Sequence, residues 1–181
     1  MDLNAILPGG MLRLLGFVDY LIRPGRRRAW LPMNGQERRQ ELVESMIARC
    51  RIGRIVETGT YRGDTTVWLA RFGLPTITIE INPRWFEFAR LRLRKLKHVI
   101  PCLGDSVEVL KDLVPRLADK EAPTLFYLDA HWRERLPLRE ELELITRHFA
   151  KSVVVIDDFE VPGDPGYGFD DYGPGKRLAL D

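Results

Sequence analysis

From residue 36 onward the apolar positions fall into two alternating rhythms. Five short runs are almost continuously apolar or β-branched: Arg54–Thr58, Thr76–Ile81, Val99–Cys102, Leu125–Asp129 and Ser152–Asp157. Their length and content predict buried strands. Between them, apolar residues recur every three or four positions, which predicts helices over Asp64–Phe72, Pro83–Lys97, Ser106–Leu117 and Leu138–Phe149. A further helix is predicted over Gln36–Arg51, with Leu42, Met46 and Ile47 on one face. Such alternation reads as βαβ units, an α/β fold with a doubly wound, mostly parallel sheet and helices on both faces.

Local signals agree. Asn82 before Pro83 is a helix cap followed by proline at the first helical position. Asp105 with Glu108 resembles a capping box. Behind Pro137, the residues Leu138, Leu142, Ile145 and Phe149 line one helix face. Residues 1–35 read as a separate helical arm, and 36–181 as the α/β domain. Within the arm, Met11–Ile22 has helical apolar spacing and is followed by Pro24-Gly25-Arg26-Arg27-Arg28. Residues 11–28 are expected either to touch anionic lipid or a partner, or to pack on the domain with a solvated basic turn.

Composition narrows the function. The chain has 181 residues, 45% of them hydrophobic, enough for one core. Lys plus Arg is 28 and Asp plus Glu is 26, a net charge of +2 without the basic excess of a nucleic-acid binder. The two cysteines, Cys50 and Cys102, have no metal-ligand spacing and fit a reducing cytosol. The apolar stretch Met11–Ile22 is too short to span a bilayer and has no signal-peptide flanks.

Five segments carry candidate chemistry. Glu57-Thr58-Gly59-Thr60-Tyr61-Arg62-Gly63 falls at the first strand-to-helix turn, where glycine lets backbone approach a ligand; it is otherwise a tight turn. Its spacing is not the Gly-x-Gly-x-x-Gly of dinucleotide binders. Glu80 ends the next strand, about twenty residues past Gly59, where a carboxylate can accept both hydroxyls of a ribose. Asp105 and Ser106 follow the third strand, placed for adenine contact, for capping, or for both. Asp129 follows the fourth strand and Asp157-Asp158 the fifth. Three converging carboxylates repel one another unless a cation or protons intervene, and an oxygen-rich site suits Mg²⁺, Ca²⁺ or Mn²⁺. In the alternative, only one faces the crevice. His131, two residues past Asp129, is a candidate general base, metal ligand or substrate contact. His98 and His148 read as structural.

Taken in order, these segments resemble the class I S-adenosylmethionine-dependent methyltransferases, most closely the metal-assisted O-methyltransferases related to catechol O-methyltransferase. The resemblance covers about residues 36–172. It implies a Rossmann-like sheet of order 3-2-1-4-5, and S-adenosylmethionine held by Glu57, Gly59, Thr60, Tyr61, Gly63, Glu80, Asp105, Ser106 and Asp129. It further implies Mg²⁺ or another divalent cation on Asp129, Asp157 and Asp158, with Asp129 and His131 as the catalytic residues. The expected substrate is a small-molecule hydroxyl; a homodimer is also expected to be accessible.

The chain departs from that family twice. No lysine follows Asp129 shortly, so the base is open and His131 is one candidate. The family's last two strands are missing, with Lys176–Asp181 reading as the start of a helix, so a truncated sequence is expected; otherwise the fifth strand is left as an exposed apolar edge. A nicotinamide-dependent Rossmann enzyme would explain Gly59 and Glu80 but not the aspartates. A scaffold without activity is the other alternative. The loop 162–172, with Tyr167, Phe169 and Tyr172, is placed to cover a substrate.

Overall fold

The computed structural model describes residues 7–22, 31–117, 122–131, 136–164 and 168–180. Arg26, Arg27, Arg28 and Tyr167 lie outside the described residues. The strands are β1 (Arg54–Thr58), β2 (Thr76–Glu80), β3 (Val99–Leu103), β4 (Thr124–Leu128) and β5 (Ser152–Ile156). All pair in parallel, in the order β3-β2-β1-β4-β5. This is the expected doubly wound sheet. The order reverses between β1 and β4, and that switch point opens the crevice in which α/β sheets bind ligands.

The helices are α1 (Gly9–Ile22), α2 (Glu37–Arg49), α3 (Asp64–Ala70), α4 (Pro83–Leu93), α5 (Ser106–Leu117) and α6 (Leu138–His148). Strands β1, β2 and β4 are buried along their whole length, as expected of inner strands covered on both faces. Alternate residues feed two cores. Val56, Phe126 and Leu128 meet Leu110, Val114, Ile145 and Phe149 of the α5/α6 layer. Ile55, Leu125 and Tyr127 meet Val43, Ile47, Trp68 and Leu69 on the other face.

Helix α2 is turned from its expected orientation. Val43 and Ile47 face inward with Arg39, while Leu42 is exposed. The spacing 39, 43, 47 is one helical stripe, so the inward face ends in a guanidinium rather than a methyl group.

Helix α1 packs across α4, the second of the two arrangements expected for residues 11–28. Asp19 pairs with Arg84 at 2.6 Å, Arg13 with Glu87 at 3.1 Å, and Arg94 donates to the Tyr20 hydroxyl at 2.6 Å. A Cβ on Gly16 would sit 2.1 Å from the Arg84 carbonyl oxygen, so the crossing requires glycine there. The outer face of α1 leaves Met11, Leu14, Leu21 and Ile22 exposed. No helix among the described residues is long and apolar enough to cross a membrane.

The segment after β5 does not begin a helix at Lys176. It folds back: Glu160 N–H donates to Leu178 O at 2.8 Å, and Asp171 bridges Arg177 in antiparallel fashion. Leu178 is 3% exposed and packs into the α5/α6 core. β5, though at the sheet edge, is therefore half-buried rather than bare.

Candidate cofactor and metal site

The β1–α3 turn is built by close backbone approach. Gly59 has φ +85, and a Cβ there would lie 2.0 Å from the Asp129 carbonyl oxygen. Only glycine lets the turns after β1 and β4 meet. The Gly59 and Thr60 amides both donate to Ile79 O, at 3.0 and 3.2 Å, tying the turn to β2. Tyr61 and Gly63 also take left-handed backbone conformations.

Beneath the turn lies a buried hydroxyl and carboxylate chain. Thr60 Oγ1 meets Thr78 Oγ1 at 2.5 Å, and Thr78 and Thr66 donate to Glu57 Oε2 at 2.6 and 2.5 Å. Glu57 is 1% exposed, and burial pushes its carboxyl up to about 7, against the two threonine bonds that favour the charged form. Glu57 thus sits under the turn, held by threonines.

Glu80 closes the other side. The amide of Tyr61 donates to its Oε2 at 2.6 Å and that of Asn82 to its Oε1 at 2.8 Å. Burial raises its pKa, and the amides of Asn82, Tyr61 and Ile81 oppose the rise. A carboxylate offers roughly four acceptor positions, so these amides leave Glu80 room to accept from a ribose hydroxyl. This is the fit expected for a ribose. Asp105 Oδ1 accepts from the Val107 amide at 3.0 Å, capping α5, and Ser106 is buried beside it. The Gly104 amide donates to Glu80 O at 2.9 Å, so the β3 turn reaches the same crevice.

The acids past β4 and β5 divide into two groups. Asp157 is 1% exposed and fully engaged. It pairs with Arg39, accepts from the Tyr127 hydroxyl at 2.5 Å, and accepts from the Asp158 amide at 2.8 Å. Burial and the Asp129 carboxylate push the Tyr127 phenol far up, so it stays a donor. Asp158 lies 3.5 Å from Arg39 and has φ +47.

Asp129 is one-third exposed, yet desolvation and the neighbouring Asp158 and Glu57 raise its pKa well above the usual carboxylate range. His131 is 5% exposed, and burial lowers its pKa, leaving a neutral imidazole. Its Nε2 has no hydrogen-bond partner. That atom lies 3.8 Å from Asp129 Oδ1 and 3.9 Å from Asp170 Oδ2.

The structure therefore brings Asp129, His131 and Asp158 together and adds Asp170. His98 Nε2 is at 2.9 Å from Ala70 O, in keeping with a structural role. Three participants were not singled out in the sequence: Arg39, Tyr127 and Asp170. Arg39 is one of several charges on α2, and Tyr127 one aromatic in an apolar strand, so nothing in their local sequence distinguishes them. Asp170 lies between Phe169 and Tyr172 in a Gly/Pro-rich stretch with no periodicity to place it.

No family model matches the chain. Its fold is that of the class I S-adenosylmethionine-dependent methyltransferases. In sequence it stands beside the catechol O-methyltransferases. It is 30% identical to catechol O-methyltransferase of Mus musculus over 149 residues, 75% of this chain and 53% of that protein. It is 30% identical to catechol O-methyltransferase B of Danio rerio over 155 residues, 78% of this chain and 55% of that protein. The chain thus spans about half the length of these relatives. With the Sus scrofa enzyme it shares 29% identity over 152 residues, 75% of each chain.

Among solved structures it resembles the O-methyltransferase TomG of Streptomyces achromogenes, involved in tomaymycin synthesis and bound to S-adenosylmethionine. That likeness has 26% identity, 67% coverage of this chain, 55% of that chain and a TM-score of 0.51. An O-methyltransferase of Bacillus cereus in complex with S-adenosylhomocysteine shares the fold, at 19% identity, 80% and 63% coverage and a TM-score of 0.52.

Proposed function

We propose that this chain binds S-adenosylmethionine at the β1–β4 switch point and transfers its methyl group to the hydroxyl of a small molecule, with a divalent cation assisting. The observation that carries this reading is Glu80 set against the β1–α3 turn, its carboxylate held by the amide of Tyr61.

In this reading Gly59, Thr60, Tyr61 and Gly63 line the methionine end of the cofactor, and Glu80 accepts from its ribose. Asp105 and Ser106 border the adenine, and the peptide of Asp129 floors the crevice against Gly59. Glu57 acts from below, through Thr78 and Thr60. When bound, the cofactor supplies an electrophilic methyl on sulfur, and the cation supplies charge that lowers the pKa of a hydroxyl. The protein's own share is to place the hydroxyl in line and at near-attack distance. Either Asp129 or His131 takes the hydroxyl proton in this reading; the partial exposure of Asp129 supports its contact with a substrate. The half-buried Phe169 and Tyr172 support a substrate-covering role for the segment after β5. The free thiols of Cys50 and Cys102 support a cytoplasmic setting. The exposed apolar side of α1 supports a peripheral contact there.

The test is calorimetric titration of S-adenosylhomocysteine into the 181-residue chain. Binding is expected, and Glu80→Gln is expected to weaken it at least about tenfold, the cost of a charged hydrogen-bond acceptor. A folded chain that does not bind the compound refutes the proposal.

A further inference from the structure

A buried ring nitrogen without a partner costs free energy unless something else bonds to it. His131 Nε2 is such an atom, on a side chain that is 2% exposed, and it is aimed at carboxylates. Among the described residues, one group of three side chains can bring ligand atoms within 4.8 Å of one another: His131, Asp158 and Asp170. Donors sharing one ion at about 2.1 Å can stand no more than about 4.2 Å apart. His131 Nε2 and Asp170 Oδ2, at 3.9 Å, already satisfy that limit.

Asp157 does not belong to this group. One of its oxygens takes the Arg39 guanidinium and the Asp158 amide, and the other takes the Tyr127 hydroxyl. Its charge is already balanced, and a cation binding it would have to displace a buried ion pair. Asp158 is less committed, with Arg39 3.5 Å away.

We propose that His131, Asp158 and Asp170 form a cation site, and that Asp157 serves as the anchor of Arg39 beneath it rather than as a ligand. The proposal rests on the methyltransferase reading only for its use, since the residues stand together whatever the crevice binds. The set is one neutral imidazole and two carboxylates. Imidazole favours later first-row ions, so Mn²⁺, Co²⁺ or Zn²⁺ is expected to bind ahead of Mg²⁺. Assigning His131 to the cation leaves Asp129, on the rim, as the proton acceptor.

Asp170 comes from the returning segment. Its amide donates to Asp158 O at 2.9 Å and its carbonyl accepts from Leu178 at 3.0 Å. Tyr172 also donates to its carboxylate. Cation binding would therefore tie Asp170 to the turns after β4 and β5.

The experiment uses the full chain labelled with ¹⁵N-histidine, titrated with Zn²⁺ alone and followed by imidazole nitrogen resonances. There are three histidines. One imidazole nitrogen is expected to shift on metal addition, and that signal is expected to vanish in His131→Gln. Calorimetry with Mn²⁺ and with Mg²⁺ gives the order of affinity.

Asp170→Asn, in a partly exposed loop that tolerates change, is expected to weaken Mn²⁺ at least about tenfold, the scale of lost metal-site partners. Asp157→Asn, scored on its folded fraction, is expected to stay within about threefold, as for a group outside the ligand set. Loss of binding in Asp157→Asn with none in Asp170→Asn overturns the assignment, as does a folded chain whose His131 signal ignores the metal. Tighter binding of Mg²⁺ than of Mn²⁺ overturns the stated preference. Titration of S-adenosylhomocysteine on the same samples separates the two ideas. Cofactor binding without metal sinks the site alone, and metal binding without cofactor sinks the methyltransferase reading alone.

Discussion

Two acids in this crevice are occupied in ways that their sequence positions do not reveal. Glu57 lies near the end of β1, just before the Gly59 turn, and faces inward onto Thr66 and Thr78. Its carboxyl is raised from an ordinary 4.5 to about 7. Between those values the folded chain holds a proton that the unfolded chain has lost. Stability therefore falls as pH rises from 4.5 to 7 and is level on either side. The drop is on the order of 3 kcal/mol. Glu57→Gln keeps an oxygen acceptor for both threonines and is expected to remove that slope. Denaturant midpoints at pH 5 and pH 7.5 check it, and an unchanged slope would show that Glu57 ionises normally.

Asp157 is the second case. Arg39→Met would leave its charge buried with only the Tyr127 hydroxyl and the Asp158 amide, and the expected loss is about 3–5 kcal/mol, as when one partner of a buried pair is removed. Replacing both, as Arg39→Met with Asp157→Leu, should recover much of that loss. A single variant as stable as the parent would mean that the pair is solvated.

At the level of elements, the helix and strand periods were readable because most faces are either fully apolar or fully polar. The exception was α2. Its two candidate stripes differ by one position, and the Leu42 stripe is the more apolar on inspection. The stripe through Arg39 won because Asp157 neutralises the guanidinium, a partner 118 residues away that no local pattern announces. The cap signals before α4 and α5 were legible because they are local: Asn82 accepts from the Arg84 amide and Asp105 from that of Val107. The contact of α1 with α4 was not legible. It depends on Gly16 facing the Arg84 carbonyl. Gly16→Val is expected to push α1 off α4, with faster amide exchange through residues 9–22 and little change in β1 or β4. Undiminished protection of α1 would show that the crossing tolerates a side chain.

At the scale of the whole molecule, the returning segment ties the edge of the sheet to the site. Leu178 fills the α5/α6 core while its amide holds Asp170. Leu178→Ala is expected to cost about 2–4 kcal/mol through the cavity it leaves. Thermal unfolding measures that loss, and amide exchange should quicken across residues 158–178 before the rest of the sheet. A drop in melting temperature without that local loosening would mean that the segment is held by other contacts.

The sequence by itself determined the alternation of strands and helices, and hence the parallel sheet. It also determined which turns face the switch point, because strand ends and glycine turns are encoded over a few neighbouring residues. It nominated Gly59, Glu80, Asp129, His131 and Asp158 for the crevice on the same local grounds. Tertiary structure alone decided which acids were free to act. Charge pairing acts through space: Arg39 took Asp157, Thr66 and Thr78 took Glu57, and the chain's return brought Asp170 to His131. A carboxylate's chemistry depends on what neutralises it and how far it is from water, and neither is written in its own neighbourhood of the chain.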